Sequence, residues 1–140
     1  MAASALIAAA TLLPAQALAL DVSVSGLKST AGDIYVCVWR RTDQGFPNCA
    51  KGKPFKKVRA SADAETISVP DLAAGAYAVT MYHDPLRQGR PKTNFFGMPT
   101  SAIGIANNPS VSMTNRPTFD KARVDVPATQ RIDISAKYLF

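Results

Sequence analysis

The sequence contains few of the side chains on which most enzymes and metal sites depend. It has a single histidine, His83, and two cysteines, Cys37 and Cys49, which are too far apart to form a Cys-x-x-Cys motif. Zinc sites use three or four His, Cys or carboxylate ligands, and nucleophilic catalysis needs a nucleophile beside an oriented base. Glycine-rich phosphate loops and Gly-x-Ser-x-Gly motifs are also missing. We therefore predict no catalytic residue, no metal and no cofactor. A hydrolase is the least favoured reading, and we expect a protein that is not an enzyme.

Long hydrophobic runs are scarce as well. The one extended apolar run covers residues 2–13 and is followed by the small-x-small pattern of residues 17–19. A run of this length is too short for a bilayer, which needs roughly 20 residues, and it is typical of a secretory signal peptide. A membrane anchor or a buried helix is the alternative. We predict a signal peptide over residues 1–19, one domain over residues 20–140, and no transmembrane segment after cleavage.

Acidic side chains are outnumbered by basic ones. The chain has 16 Lys and Arg against 10 Asp and Glu, which gives a formal net charge of +6. A basic exported protein is attracted to anionic surfaces such as lipid headgroups and acidic glycans. A solvated surface without a partner is an equally good explanation of the charge. No basic cluster alternates with aromatic residues as in a single-strand binding platform, so we predict no nucleic-acid partner.

The two cysteines are expected to pair, because exported proteins fold in oxidising compartments. A Cys37–Cys49 disulfide would stabilise the fold by roughly 3 kcal/mol on the chain-entropy model. Cys37 lies in a strongly predicted strand, whereas Cys49 lies in a turn-rich segment. We expect the bond to tether that segment to the edge of a sheet.

Apolar residues after the leader alternate with period two and show no helical period, which predicts short strands separated by turn residues. Seven such segments cover residues 20–25, 33–39, 53–60, 65–69, 76–82, 123–126 and 132–138. We predict an all-β fold: a single antiparallel Greek-key sandwich of about seven strands, transthyretin-like or immunoglobulin-like.

The histidine directly follows the fifth predicted strand. Strand alternation places Tyr77, Val79, Met81 and His83 on one face, which we assign to the core. Tyr77 follows a glycine turn, where a tyrosine can pack inward and return its hydroxyl to nearby backbone. We expect His83 to be structural, with its ring nitrogens bonded to backbone of the 94–108 loop. A ligand role is the alternative.

The connection after His83 is long and rich in Asn, Gly and Pro. Its apolar residues predict that it packs down and clasps the end of the sandwich. These residues are Phe95, Phe96, Met98, Ile103 and Ile105. The Asn107-Asn108-Pro sequence predicts a turn whose amides bind backbone or a sugar hydroxyl.

Several short motifs occur in an order that points to one family. They are Val-x-Val-x-Gly-Leu at 22–27, Gly-x-Ile-x-Val-Cys at 32–37, Gly-x-Tyr-Ala-Val at 75–79, His83-Asp84, and Asn-Phe-Phe-Gly-Met-Pro at 94–99. Together they resemble the bacterial family called domain of unknown function 2141. The resemblance implies an exported all-β protein, periplasmic or secreted, and supplies no activity.

The chain departs from that family in the turn after His83. The family usually has an acidic and amide-rich turn, whereas this chain has Arg87, Arg90 and Lys92 around the single carboxylate of Asp84. Calcium prefers several oxygen ligands, so we predict no calcium site. Guanidinium groups match carboxylate and phosphate geometry, which favours an anion-binding loop. A solvated hairpin tip is the alternative.

The sequence therefore predicts a non-enzymatic binding module for an anionic envelope component, such as an anionic glycan or lipopolysaccharide. The predicted binding-loop residues are His83, Asp84, Arg87, Arg90, Lys92, Asn94, Asn107 and Asn108. The alternative is a structural or stress-related envelope protein that acts through protein contacts and binds no small ligand.

Overall fold

A computed structural model describes residues 4–5, 17–112 and 114–140. In these ranges no helix is long and apolar enough to cross a membrane. Most of the predicted signal peptide lies outside the described residues. The last two residues of that peptide belong to the first strand, in which Leu18 pairs with Leu72. Both residues lie before the predicted cleavage point, which follows Ala19.

The described residues form eight strands and one short 3-10 helix. The strands are β1 (Leu18–Ser25), β2 (Asp33–Trp39), β3 (Lys56–Ser61), β4 (Ile67–Leu72), β5 (Gly75–Asp84), β6 (Ile103–Ile105), β7 (Arg123–Val126) and β8 (Arg131–Ser135). The 3-10 helix, Asp120–Ala122, leads directly into β7. All seven predicted segments become strands, with ends that shift by a few residues.

The strands form two sheets. One has the order β4-β1-β8, and the other has the order β3-β2-β5, with β6 and β7 both paired to the far edge of β5. Strand β6 pairs with Thr80–Tyr82, and β7 pairs with Gly75–Ala78. The predicted all-β fold is confirmed. The pairing is antiparallel, as predicted, except between β1 and β8, which run parallel.

Apolar side chains from both sheets form one core, so the sheets pack face to face as a sandwich. Leu20 and Ile134 of the smaller sheet meet Val36 and Met81 of the larger one. The predicted alternation along β5 is confirmed there. The predicted role of Tyr77 is also confirmed, because its buried ring donates a hydroxyl hydrogen bond to the Ala73 carbonyl at 2.7 Å.

The outer face of the larger sheet is buried too. Trp39 and Tyr82 lie in a second apolar cluster, which includes Phe46 and Phe119 from the covering loops. The predicted disulfide is confirmed in the structure, with an S–S distance of 2.04 Å. It does not tether a sheet edge. Cys37 lies on β2, between β3 and β5, and points outward, so the bond ties the loop onto the sheet's outer face.

Two elements differ from the sequence prediction for identifiable reasons. Strand β4 was expected to stop before Pro70, but it continues to Leu72. It is an edge strand, where a missing N–H is tolerated. Strand β6 was not predicted, because three residues with a central Gly104 give almost no strand signal. A side chain at Gly104 would collide with Ile134 and Met81, so glycine lets β6 lie directly on the core.

Candidate functional site

The predicted binding loop lies at the end of the sandwich where β5 finishes. His83 and Asp84 are the last two residues of β5, and they are only 2% and 0% exposed. The β5–β6 connection, residues 85–102, follows them. The β1–β2 connection, residues 26–32, reaches the same end, because β2 starts opposite the end of β5 through the Asp33–Asp84 pair.

Three hydrogen bonds hold His83, two to backbone carbonyls and one from a side-chain hydroxyl. Its Nε2 donates to the Ala31 carbonyl at 2.6 Å. Its N–H donates to the Ala102 carbonyl at 2.9 Å, and its carbonyl accepts from Ser101 Oγ at 2.8 Å. The ring bond therefore goes to the β1–β2 connection and not to the 94–108 loop. That loop runs beside β5 as a neighbouring strand, so it meets the backbone of His83 instead of its ring.

Asp84 closes the first turn of the β5–β6 connection. Its two carboxylate oxygens accept the N–H groups of Gln88 at 2.9 Å and Gly89 at 2.7 Å. The Tyr82 hydroxyl adds a bond of 3.0 Å to the Gly89 carbonyl. The only carboxylate of the predicted loop is thus buried and engaged by backbone donors.

Three predicted cations lie along this connection and are exposed. Arg87 lies 3.5 Å from the carboxylate of Asp33, and Arg90 lies 3.5 Å from the side-chain oxygen of Gln88. Lys92 anchors the next turn through backbone bonds, because its carbonyl accepts from the Thr100 N–H at 2.7 Å. Positive charge therefore accumulates outside the buried Asp84 turn.

Asn94 closes a second turn. Its side-chain oxygen accepts the N–H groups of Phe96 at 2.9 Å and Met98 at 3.0 Å, and its own N–H donates to the Met98 carbonyl. We call residues 92–100 the tip hairpin. Asn94 thus builds the hairpin through its side chain.

The prediction that Phe95 and Phe96 pack down is wrong. Their side chains are 98% and 82% exposed, and their rings contact each other edge to face at 5.7 Å. The tight turn at Gly97 places both rings where the domain has no surface to receive them. Ile103 and Ile105 do pack against the sheet as predicted, and Met98 is partly exposed.

An open depression of about 320 Å³ lies between the two connections. We call it the basic depression, and its polar lining includes Lys28, Ser29, Lys92, Thr100, Ser101 and Tyr138. His83 also reaches it, and no carboxylate is among the described residues that line it. Ammonium groups beside hydroxyl groups can bind phosphate, sulfate or carboxylate oxygens.

Sequence reasoning did not find Lys28 and Tyr138. The Lys28 ammonium lies 4.3 Å from the centre of the Tyr138 ring, and the backbone N–H of Lys28 donates to the Tyr138 hydroxyl at 2.8 Å. These residues are 110 positions apart. No local pattern links them, because they meet only where the chain end returns beside the β1–β2 connection.

Asn107 and Asn108 do not belong to this end. Both have left-handed backbone, with φ of 67° and 49°. Asn107 donates to the Lys121 and Arg123 carbonyls, and Asn108 binds the backbone of Asp133 and Ser135. They follow β6, which runs back along β5 and ends at Ile105 opposite Thr80, so the chain has already turned away from His83. Of the two predicted roles for these amides, the structure shows binding to backbone.

Burial changes the titration of two groups on the outer face of the larger sheet. It raises the pKa of Tyr82 to about 12, with help from the neighbouring Tyr35 and Asp84. The Tyr35 ring stacks on Tyr82 at 4.9 Å. The Lys57 ammonium lies over both rings and donates to the Cys49 carbonyl at 3.1 Å, and burial lowers the pKa of Lys57. Of these groups, Tyr82 also bonds the Asp84 turn, through the Gly89 carbonyl.

A second, mainly apolar cavity of about 380 Å³ lies on the same outer face. Met98 and Pro99 of the tip hairpin line it together with Ile105 and the chain end at Phe140. Within the described ranges, His, Cys, Asp and Glu side chains nowhere gather in threes as a metal site requires.

Fold and site together define a small disulfide-linked β-sandwich with a basic loop end. The chain belongs to the family described as an uncharacterized protein conserved in bacteria (DUF2141), whose model matches residues 22–134. This confirms the family resemblance seen in the short motifs. Neither a curated protein nor a solved structure matches the chain.

Proposed function

We propose that this protein is a non-enzymatic binding module of the bacterial envelope, and that its basic end holds an anionic component such as an acidic glycan or lipopolysaccharide. The basic depression carries the proposal. Two lysines, Lys28 and Lys92, line one concave site together with hydroxyl-bearing residues. Such donors fit the oxygens of phosphate, sulfate or uronate groups.

The surroundings of the depression add to its attraction for anions. Arg87 and Arg90 are exposed on the adjoining turn, and Arg87 has one carboxylate neighbour, Asp33. Asp84 contributes little accessible negative charge, because it is fully buried and accepts two backbone hydrogen bonds. The net charge of +6 draws anionic surfaces toward the whole molecule.

Export to the periplasm or the medium is part of the proposal. The Cys37–Cys49 disulfide supports it, because such bonds persist mainly in oxidising compartments. The leader over residues 1–19 supplies the route. Mass spectrometry of the protein from its native envelope should find Leu20 as the first residue, and a retained Met1 would contradict the leader.

Retention on a dextran sulfate column tests the site. Lys28→Ser with Lys92→Ser should elute at clearly lower salt than wild type, because both lysines that line the depression are removed. The control is Lys51→Ser with Lys53→Ser, which removes the same charge from two exposed lysines of the β2–β3 loop. The control should shift the elution far less.

The outcomes of that experiment distinguish binding in the depression from attraction by net charge and from no polysaccharide binding. Equal shifts in the two double variants would mean that net charge, and not the depression, holds the polysaccharide. A wild-type protein that passes through the column without retention would overturn the proposal. It would favour the alternative of an envelope protein that acts through protein contacts.

A further inference from the structure

The tip hairpin exposes two large apolar side chains side by side. Phe95 and Phe96 are 98% and 82% exposed, whereas Phe46 and Phe119 pack into the second core cluster. Phenylalanine is among the residues most often buried, so an adjacent exposed pair calls for a partner. The edge-to-face contact of the two rings joins them into one apolar tip.

The turn beneath these rings is built by specific bonds. The side chain of Asn94 accepts two backbone N–H groups, and Gly97 supplies the left-handed residue, with φ of 77°. Below them, Lys92 and Thr100 bond across the base of the hairpin. The chain thus uses polar groups to hold the two rings away from its own surface.

Cations flank the apolar tip. Lys92 precedes Phe95 by three residues, so its backbone lies within roughly 10 Å of it along the chain. Arg87 and Arg90 lie in the turn that precedes Lys92 in the chain, and both are exposed. Aromatic rings at headgroup depth with cations beside the phosphates are the usual arrangement at an anionic bilayer surface.

The size and shape of the tip favour a fluid partner. Two aromatic side chains present roughly 300–500 Å². A stable protein interface needs about 800 Å² from each partner. The tip is also convex, so a folded partner would need a pocket of matching shape, whereas lipid chains rearrange around it.

We propose that the tip hairpin inserts Phe95 and Phe96 into the headgroup region of an anionic lipid bilayer, with Arg90 and Lys92 against the lipid phosphates. The inference rests on the proposed function for its anionic partner. It adds an apolar anchor, which charge alone does not provide.

Co-sedimentation with vesicles tests this inference. The probes are vesicles of phosphatidylcholine alone and of phosphatidylcholine with an equal part of phosphatidylglycerol. Wild type should sediment with the anionic vesicles. The double variant Phe95→Ser with Phe96→Ser should bind them at least about tenfold more weakly, given the apolar area withdrawn. Arg90→Ser with Lys92→Ser should bind about twenty-five-fold more weakly, at about a factor of five per basic residue.

A matched control comes from the other end of β5. Phe55 is 40% exposed and stacks on Tyr77 at 6.0 Å, six residues from His83. Phe55→Ser removes an exposed aromatic ring there and should leave vesicle binding unchanged. Thermal melting of every variant checks the fold, and the double phenylalanine variant should melt like wild type because its rings contact mainly each other.

The outcomes separate this inference from the proposed function. If wild type and the double phenylalanine variant bind anionic vesicles equally, insertion is wrong while the basic site stands. If wild type is retained on dextran sulfate but ignores anionic vesicles, a bilayer partner is wrong. If the double variant instead abolishes a dimer seen by analytical ultracentrifugation and vesicle binding is unchanged, the rings serve a second copy of the chain.

Discussion

Residues 84–89 and residues 94–98 form two turns of the same connection, and in each a single side chain accepts two backbone N–H groups. Asp84 accepts those of Gln88 and Gly89, and Asn94 accepts those of Phe96 and Met98. The environments differ. Asp84 is 0% exposed, whereas Asn94 lies among exposed residues.

This difference indicates that the first turn stabilises the fold, whereas the second presents two side chains to solvent. The Asp84 turn sits on the sheet and is braced by Tyr82, so its bonds belong to the fold. The Asn94 turn holds up two phenylalanines that contribute nothing to either core cluster. Changes in the first turn should therefore appear in stability, and changes in the second should appear in binding.

Asp84→Ala should give the largest effect. It removes a fully buried carboxylate that accepts two backbone N–H groups, and we expect the free energy of unfolding to fall by about 3 kcal/mol. Urea denaturation followed by circular dichroism measures it. A loss below about 0.5 kcal/mol, the level of an ordinary surface substitution, would remove the contrast between the turns.

His83→Ala should cost about 2 kcal/mol, since it deletes a buried ring and its bond to the Ala31 carbonyl. Retention on dextran sulfate, measured well below the melting temperature, should change little because the role of His83 is structural. A loss of retention as large as that of the Lys28 and Lys92 double variant would instead make His83 a ligand-binding residue.

Tyr82 should give a pH-dependent effect at the first turn. Its pKa is raised to about 12 by burial, so folding favours the neutral phenol. A raised pKa in the folded state means that this stabilisation is complete below the ordinary value near 10. It is lost as the pH rises from about 10 through 12.

Unfolding free energies at several alkaline pH values check the Tyr82 prediction. Tyr82→Phe keeps the ring stacked on Tyr35 but removes the titrating hydroxyl, so its alkaline loss of stability should be smaller than that of wild type. Equal losses in both proteins would show that other groups govern the alkaline transition.

Asn94→Ala should have the smallest effect on stability, below about 1 kcal/mol, because water can satisfy the exposed N–H groups that lose their acceptor. Its binding to anionic vesicles should still fall several-fold, since the rings are no longer fixed together. Wild-type binding with a strongly lowered melting temperature would reverse the roles assigned to the two turns.

The sequence predicted the parts of the molecule that depend on local pattern. Period-two alternation identified seven of the eight strands in the described residues. The glycine turn before Tyr77 predicted an inward-packing ring and a hydroxyl bond to nearby backbone, which is the Ala73 carbonyl. Strand β6 was not predicted, because it depends on the close approach of Gly104 to Ile134 and Met81, which no local pattern shows.

The site was predicted only in part, for a related reason. Local composition pointed to Arg87, Arg90 and Lys92, which do lie at one end. The depression also needs Lys28 and Tyr138, which meet across 110 residues. Hydrophobicity suggested burial for Phe95 and Phe96, but the turn closed by Asn94 decides where those rings go.

Fluorescence of Phe96→Trp tests the insertion of the tip most directly. Trp39, the one native tryptophan, is 0% exposed and bonded to Thr80, so its emission should stay constant while an exposed indole at position 96 reports its surroundings. Insertion predicts a shift to shorter wavelength with phosphatidylglycerol vesicles, quenching by lipids brominated near the headgroup, and no change with phosphatidylcholine alone. An emission spectrum that stays unchanged and unquenched while the protein sediments with anionic vesicles would show that the phenylalanine tip remains in water.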